Sequence, residues 1–524
     1  MSERVRITVI EEKNKNAREL FHDRGRTLLH TLREGGVNLP SLCSSLGKCG
    51  RCQIRFRGYA PLPTQADRAM IAPDKLRDGY RLACMARPGK NCVVEIAFEK
   101  EREIDVVIAD RIGNGGQGGQ SGERKKKTPD IGKNERCGNG LKDRKEGRQI
   151  RAVAVADIGT TTIAVQMIET ESGKILDTYT CLNPQRSYGL DVISRIQAGM
   201  EGHGEKLRQY VREALASGIR EMIKRGEGQW KLAYTVISAN TVMGHLFMGY
   251  PVETLGRSPF EPVNIRTVKT DYMGMPAVLV PGISAFVGGD IVSGLYACGL
   301  NRKKSKGAWL FLDLGTNAEM VMGDGKRIVC TAAAAGPAFE GRGRYGAAGA
   351  ERISAIAYLL EGRIIDHTGL LAEPYFETGI EVETGKERRK VRISREDVRD
   401  IQMAKAAVRA GIHFLMEHLE VRRYEEIEKV YVAGGFGFYL DKKAAAGIGL
   451  IPPALMDKME TVGNTSLAGA RLLAGEIFRE WAGGEEDWAV MDELEKIAQG
   501  AESFQLAEEP AFEKAYVDFM NFGI

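Results

Sequence analysis

The chain lacks any stretch of about 18 apolar residues, the length that spans a bilayer, so membrane insertion is not expected. Its opening residues, MSERVRITVI, have no apolar core of signal-peptide type, because Arg4 and Arg6 alternate with Val and Ile as in a strand. A cytoplasmic chain is the expectation. The phosphate-loop string G-x4-G-K-[ST] is absent. G-x-G-x-x-G occurs at Gly113–Gly118 and Gly341–Gly346, but neither copy opens a convincing dinucleotide-binding unit, which argues against a dinucleotide dehydrogenase. A large charge of one sign is missing too. The net charge is +4, and residues 113–150 alone hold ten basic and five acidic side chains, so the basic surplus is one segment and not a nucleic-acid-binding face. Nine cysteines make an odd count, and without a signal peptide a disulfide framework is a poor reading. Five of them (Cys92, Cys137, Cys181, Cys298, Cys330) are scattered and read as core or linker thiols.

What remains is ample apolar content, 43% of 524 residues, enough for roughly three to four domains at ~100–200 residues each. Residues 1–100 read as strands with one short helix: RVRITVI, CQIRFRG and CVVEIAF are strand-like, and RTLLHTLREGG has helical spacing ended by a glycine pair. Residues 101–150 read as a linker; from 113 on they are Gly- and Lys-rich with almost nothing apolar, a composition that cannot offset the entropy of ordering. From 151 onward, strands alternate with helical stretches, the pattern of an α/β fold. RAVAVADIGTTTIAVQMI reads as strand, tight polar turn, strand, and GAWLFLDLGTNAEMVMG repeats the design 156 residues later, with Asp157 and Asp313 equivalent. Such an echo predicts two homologous halves, 151–305 and 306–524.

Four cysteines cluster early as C-x5-C-x2-C, with a fourth after 31 intervening residues: Cys43, Cys49, Cys52 and Cys84. Iron needs four converging thiolates, and Ser44, Ser45, Gly47 and Gly50 are small enough for a loop to fold tightly round a cluster. Structural zinc, the competing reading, usually shows two paired C-x2–4-C knuckles, and only one half has that form here. In DIGTTT and DLGTN a strand delivers an Asp, Gly lets backbone N–H groups approach phosphate oxygens, and Thr hydroxyls add donors. The Asp is placed to hold Mg²⁺, usually through water. One such turn is often only a hairpin; two in corresponding places form a clamp. VYVAGGFGFYL sends an apolar strand into Gly434, Gly435, Phe436 and Gly437, where a base or ribose can lie against backbone, although alone it also reads as a plain strand-to-helix turn.

Residues 1–100 resemble the β-grasp 2Fe–2S ferredoxins of the adrenodoxin-type branch, with GYRLAC similar to the segment bearing the fourth ligand. The resemblance implies that Cys43, Cys49, Cys52 and Cys84 ligate the cluster. The three glycine-bearing turns resemble the phosphate-1, phosphate-2 and adenosine motifs of the superfamily of acetate and sugar kinases, heat-shock chaperones and actin. That implies ATP between two ribonuclease-H-like halves, with Asp157 and Asp313 flanking the metal and Thr160, Thr161, Thr162 and Thr316 facing the phosphates. Gly159, Gly315 and Asn317 belong to the same turns. Asp290, in VGGDIVSG, matches an acidic residue of a connecting helix in some members and is a candidate to position water; Glu319 is a second candidate. The fold class is thus an α+β β-grasp ferredoxin domain followed by an α/β actin-like ATPase with two ribonuclease-H-like subdomains.

A 2Fe–2S centre of this type reaches roughly −400 mV. Moving an electron ~100 mV uphill costs about 2.3 kcal/mol, which ATP can meet if it changes how the acceptor is bound. The whole chain resembles the ATP-dependent reductive activators of corrinoid proteins, through NPQRSYGLDVISRI, SANTVMGHLFMG, SPFEP, AAAAGPAFEGRG, DIQMAKAAVRAGI and GNTSLAGA. That resemblance implies reduction of a corrinoid methyl-carrier of a methyltransferase system from Co(II) to Co(I), an external low-potential donor, and a homodimer. It departs from the family in the short Gly/Lys-rich run, where the family usually has a small ordered domain. AAAAGPAFEGRG is the expected surface sensing nucleotide and partner, and His245 reads as structural or cleft-lining. The alternatives are a small-molecule kinase with an accessory redox domain, a non-catalytic nucleotide-binding redox sensor, and an activator of 2-hydroxyacyl-CoA dehydratases; the N-terminal four-cysteine loop argues against the last.

Overall fold

The computed structural model describes residues 4–11, 17–35, 37, 39, 52–96, 149–300, 307–339, 347–384, 389–482 and 489–523. Residues 101–148 of the expected linker 101–150, together with Cys43, Cys49, Cys137 and Gly341–Gly346, lie outside them, and Ile150 already begins a strand.

The N-terminal elements are β1 (Arg4–Glu11), β2 (Ala17–Asp23), α1 (Leu28–Glu34), β3 (Gln53–Arg57), α2 (Gln65–Met70), α3 (Pro73–Arg77), β4 (Tyr80–Leu82) and β5 (Cys92–Ile96). The strands form one sheet in the order β2-β1-β5-β3-β4, with β1 and β5 parallel, which is the β-grasp arrangement. Val5, Ile7 and Val9 alternate into a core closed by Leu28, Leu29 and Leu32, so the period of two in the sequence becomes one buried face.

Next come β6 (Ile150–Ile158), β7 (Thr162–Glu169), β8 (Ile175–Leu182), α4 (Val192–Ala198), α5 (Gly204–Arg225), β9 (Trp230–Ala239), α6 (Thr241–Met248), β10 (Val268–Tyr272), β11 (Met275–Leu279) and α7 (Gly289–Ala297). They are followed by β12 (Ala308–Leu314), β13 (Ala318–Gly323), β14 (Ile328–Ala333), α8 (Gly349–Glu361), α9 (Tyr375–Thr378), β15 (Ile380–Thr384), β16 (Arg389–Ile393), α10 (Arg395–His418) and β17 (Ile427–Ala433). The last are α11 (Gly434–Tyr439), α12 (Lys442–Gly447), β18 (Met459–Gly463), α13 (Thr465–Ala482), α14 (Ala489–Gly500), β19 (Ala501–Ser503) and α15 (Phe512–Asp518).

Two six-stranded sheets result, β10-β11-β9-β6-β7-β8 and β18-β17-β12-β13-β14-β19. In each, a central strand pairs antiparallel with the next strand and parallel with a later one: β6 with β7 and β9, β12 with β13 and β17. Five strands of each sheet share one topology, β11-β9-β6-β7-β8 matching β18-β17-β12-β13-β14, while the sixth, β10 or β19, lies at opposite edges. Both central strands are buried on both faces, which is why they read as continuous apolar runs. Ala152, Ala154, Ala156 and Ile158 face one outer core, and Leu310, Leu312 and Leu314 face the other. Val153, Val155, Trp309 and Phe311 turn the opposite way into a shared core with Ile291 and Leu295 of α7 and Leu467 and Leu473 of α13. That shared core fixes the halves against each other and brings the ends of β6 and β12 to one cleft. Among the described residues, no helix is long and apolar enough to cross a membrane.

Candidate nucleotide and cluster sites

Asp157 and Asp313 each sit one residue before the end of their strand, so both turns open at the same edge. The turns touch: Thr161 Oγ1 lies 2.9 Å from Thr316 Oγ1.

The first turn is held from behind by its carbonyls. The Gly159 carbonyl accepts from Asn183 Nδ2 (2.9 Å), the Thr160 carbonyl from Arg195 Nη2, and the Thr161 carbonyl from the Asn183 N–H (2.9 Å). A trans peptide points its N–H opposite to its C=O, so the N–H groups of Thr160, Thr161 and Thr162 face away from this scaffold. That is the geometry of an anion-binding nest. The Gly159 N–H is spent inside the turn on the Thr162 carbonyl (2.9 Å).

Three asparagines repeat one device here. Asn183 Oδ1 accepts from the Gln185 N–H (3.0 Å), Asn240 Oδ1 caps α6 at Met243 (2.9 Å), and Asn464 Oδ1 caps α13 at Leu467 (2.8 Å). Each then turns its Nδ2 to the first half's site: to the Gly159 carbonyl, to Thr160 Oγ1 (3.1 Å) and to Asp157 Oδ2 (2.8 Å). Ser466 Oγ donates to Asp157 Oδ1 at 2.8 Å and lies 2.9 Å from Ser238 Oγ. Gly288 makes room for this: a Cβ there would come within 2.5 Å of the Asn240 backbone.

The second turn is tied by the Gly315 N–H to the Asn317 carbonyl (2.8 Å). Gly434 adopts φ +83° directly beside it, and a Cβ at Gly434 would fall 2.6 Å from Asp313 Oδ1. Phe436, expected beside the nucleotide, turns into the core instead. It is 5% exposed and stacks on Phe339 at 4.6 Å, because position 436 of α11 faces back toward the protein. Gly434 and Gly435 remain half-buried at this turn, whereas Gly437 is buried and a Cβ there would fall 2.7 Å from the Val432 side chain.

Four carboxylates gather between the turns. Burial and the Asp157 charge push Asp290 up to about 7, and burial also raises Asp157 against the two hydrogen bonds it accepts. Burial, then Asp290 and Asp313, raise Glu319 well above the ordinary range, while the Asn317 side chain hydrogen-bonds it and works the other way. Asn317 therefore serves Glu319. Among the described residues, no three acidic, His or Cys side chains converge closely enough to coordinate a metal directly. The carboxylates fit Mg²⁺, which Asp157 and Asp313 would hold through its water shell.

In the ferredoxin part, Cys52 and Cys84 are both buried and neither is in a disulfide. The Cys84 side chain and backbone N–H groups pull the Cys52 thiol down to about 7 despite burial. Burial pushes Cys92 up to about 11; burial, with the Glu460 charge, raises Cys298 to about 12; and burial raises Cys330 to about 12 against a hydrogen bond with Ser503, as suits inert thiols. The Ala83 N–H donates to the Cys52 carbonyl (2.8 Å), and Leu29 of α1 donates to the Ala83 carbonyl (2.9 Å), fixing the two cysteines side by side. Paired thiols ringed by amide donors fit an iron–sulfur cluster.

His245 has both ring nitrogens engaged, Nδ1–H with the Thr241 carbonyl (2.8 Å) and Nε2 with the Val263 N–H (3.0 Å), so it pins a loop. AAAAGPAFEGRG is described only through Phe339, which is buried. Sequence reasoning assigned no role to Asn183, Arg195, Asn240, Asn464 or Ser466. They fall within NPQRSYGLDVISRI, SANTVMG and GNTSLAGA, strings noted only for their likeness to the family.

With this geometry established, comparison with known families is decisive. The model of the RACo middle region matches residues 152–303, and that of the C-terminal ASKHA domain of RACo matches 307–345 and 343–523. The chain belongs to the RACo family. A 2Fe–2S iron–sulfur cluster binding domain matches residues 11–89, so this family member joins a cluster-binding domain to a nucleotide-binding ASKHA domain. The corrinoid activation enzyme RamQ of Eubacterium limosum is 29% identical over 431 residues, 70% of each chain. The [Co(II) methylated amine-specific corrinoid protein] reductase of Methanosarcina barkeri is 25% identical over 379 residues, 60% of this chain and 68% of that protein. The solved structure of a reductive activator for corrinoid,iron-sulfur protein shares the fold, with a TM-score of 0.62, 24% identity, and coverage of 99% of this chain and 98% of that one.

Proposed function

We propose that the chain is an ATP-dependent activase that returns a corrinoid protein from Co(II) to Co(I) by one-electron reduction. The observation that carries this reading is the Thr161–Thr316 contact, which closes two phosphate turns on each other in a chain that also bears the four-cysteine loop. Cys43, Cys49, Cys52 and Cys84 would hold a 2Fe–2S cluster, which supplies a one-electron centre of low potential when bound. The N–H groups of the first turn and Thr316 of the second receive the phosphates of ATP. Asp157 and Asp313 would hold Mg²⁺ through its water, which would neutralise phosphate charge, and Asp290 and Glu319 would orient the attacking water. Asn464 and Ser466 reach from the second half to Asp157 in the first, so a change at the phosphates is felt by both halves. The relatives named above act on corrinoid proteins, and the same substrate class is assigned here. A methyltransferase system as the source of that protein, an external low-potential donor, a homodimeric assembly and a cytoplasmic location complete the proposal.

The test is anaerobic. Reduced holoprotein is mixed with a Co(II) corrinoid protein, with and without Mg-ATP, and the visible absorbance of Co(I) is followed. ATP-dependent appearance of Co(I) is expected. Phosphate transfer from ATP to a small molecule, or no cobalt reduction with any donor, overturns the reading.

A further inference from the structure

We propose that Arg195 is a positioning residue for the nucleotide's phosphates: it aims the Thr161 N–H at them and keeps an uncompensated positive charge behind the turn for them to neutralise. This rests on reading the β6–β7 turn as a phosphate turn.

Arg195 lies on α4 and is completely buried. Its hydrogen bonds go to neutral acceptors: Nη2 to the Thr160 carbonyl, Nη1 to Gln185 Oε1 (3.2 Å) and Met243 Sδ (3.0 Å), and Nε to the Gly189 carbonyl (3.1 Å). Among the described residues, no carboxylate forms an ion pair with it. Asp191 attracts it from a distance while capping α4 at the Ser194 N–H (2.7 Å), and Arg186 opposes it. Burial lowers its pKa to about 9, so the guanidinium stays charged at neutral pH.

A buried charge without a counter-charge disfavours folding, and an apolar side chain of the same volume would serve the core better. The gain must come from something that arrives later. The Thr160 carbonyl and the Thr161 N–H belong to one planar peptide and point in opposite directions. The guanidinium that grips the carbonyl therefore sets the aim of the N–H, and its charge sits one peptide behind any bound phosphate. Lysine cannot copy this, because the grip uses all three guanidinium nitrogens in a planar fork.

Calorimetry on the full-length holoprotein, with Mg-ATP and with adenosine as ligands, provides the test. Arg195→Lys should weaken Mg-ATP binding by about tenfold, and Arg195→Met by more, with adenosine affinity within about twofold of wild type. Equal losses for both ligands would mark Arg195 as merely structural, and unchanged Mg-ATP affinity would also overturn the proposal. Should the Arg195 variants fail to fold, Asp191→Asn decides the matter. Asparagine caps α4 equally well, and losing the negative charge should tighten Mg-ATP about twofold while leaving adenosine alone. No tightening there overturns the proposal. Wild-type protein that binds no Mg-ATP would instead sink the functional reading itself, whereas wild-type binding matched by Arg195→Lys sinks only this inference.

Discussion

The two six-stranded halves carry an aspartate at the same register, yet they surround it differently. In the first half, the residue opposite Asp157 on the antiparallel neighbour is Ala164, and on the parallel neighbour it is Ser238. In the second half, those positions beside Asp313 are Glu319 and Ala433. Asp157 also accepts hydrogen bonds from Asn464 and Ser466, which belong to the other half. Asp313 is crowded by Gly434 of its own half. The second half thus supplies both the extra carboxylate, Glu319, and the donors that latch onto Asp157. Any separation of the halves must break the bonds to Asp157, whereas Glu319 and Gly434 move with Asp313.

The sharpest way to break this comparison is Glu319→Gln, since the first half has only Ala164 in that place. ATP hydrolysis should fall by about a hundredfold, with nucleotide affinity nearly unchanged, when phosphate release and binding are measured on the same preparation. A near-wild-type rate would make the two halves chemically equivalent. Next comes the latch. Replacing both Asn464 and Ser466 by Ala should cut the ATP-dependent rate of cobalt reduction by about tenfold, because Asp157 loses both of its donors while buried. An unaffected rate would show that the halves communicate elsewhere.

The cluster of carboxylates gives a pH signature of smaller size. Asp290 holds its proton up to about pH 7 when folded and only to about pH 4 when unfolded. The folded chain therefore binds more protons between those values, and raising the pH through that window removes stability. Without Mg²⁺ or nucleotide, the urea midpoint followed by tryptophan fluorescence should fall from pH 5 to pH 8. All four tryptophans lie beyond residue 150, so the signal reports on this domain. Asp290→Asn should flatten the fall; a pH dependence as steep as wild type would contradict the assignment. The smallest effect is expected where the halves are equivalent. Thr161→Val and Thr316→Val remove the same contact, each costing about fivefold in Mg-ATP affinity, and the double variant should be little worse than either single. Full additivity would mean the two hydroxyls act separately.

Much of this was legible in the chain. The repeated strand–turn–strand with its aspartates announced two halves, because a strand buried on both faces leaves a continuous apolar run. The alternation in RVRITVI and the cysteine spacing announced the ferredoxin part. The latch was not legible, since Asn464 and Asp157 are 307 positions apart and meet only through the helix caps that follow β18. Arg195 was hidden for a similar reason: its partner Thr160 is 35 positions away and offers only a carbonyl. Phe436 misled because its glycine neighbours suggest a nucleotide surface, whereas Phe339 from a distant segment claims its ring.

The central claim is that nucleotide lets a single electron pass from iron to cobalt. Electron paramagnetic resonance on pre-reduced holoprotein mixed one-to-one with a Co(II) corrinoid protein, with no external reductant, tests it most directly. The signals of the reduced cluster and of Co(II) should vanish together, in equal amounts, only when Mg-ATP is added. Persistence of both signals with Mg-ATP, or equal loss without it, would contradict the account.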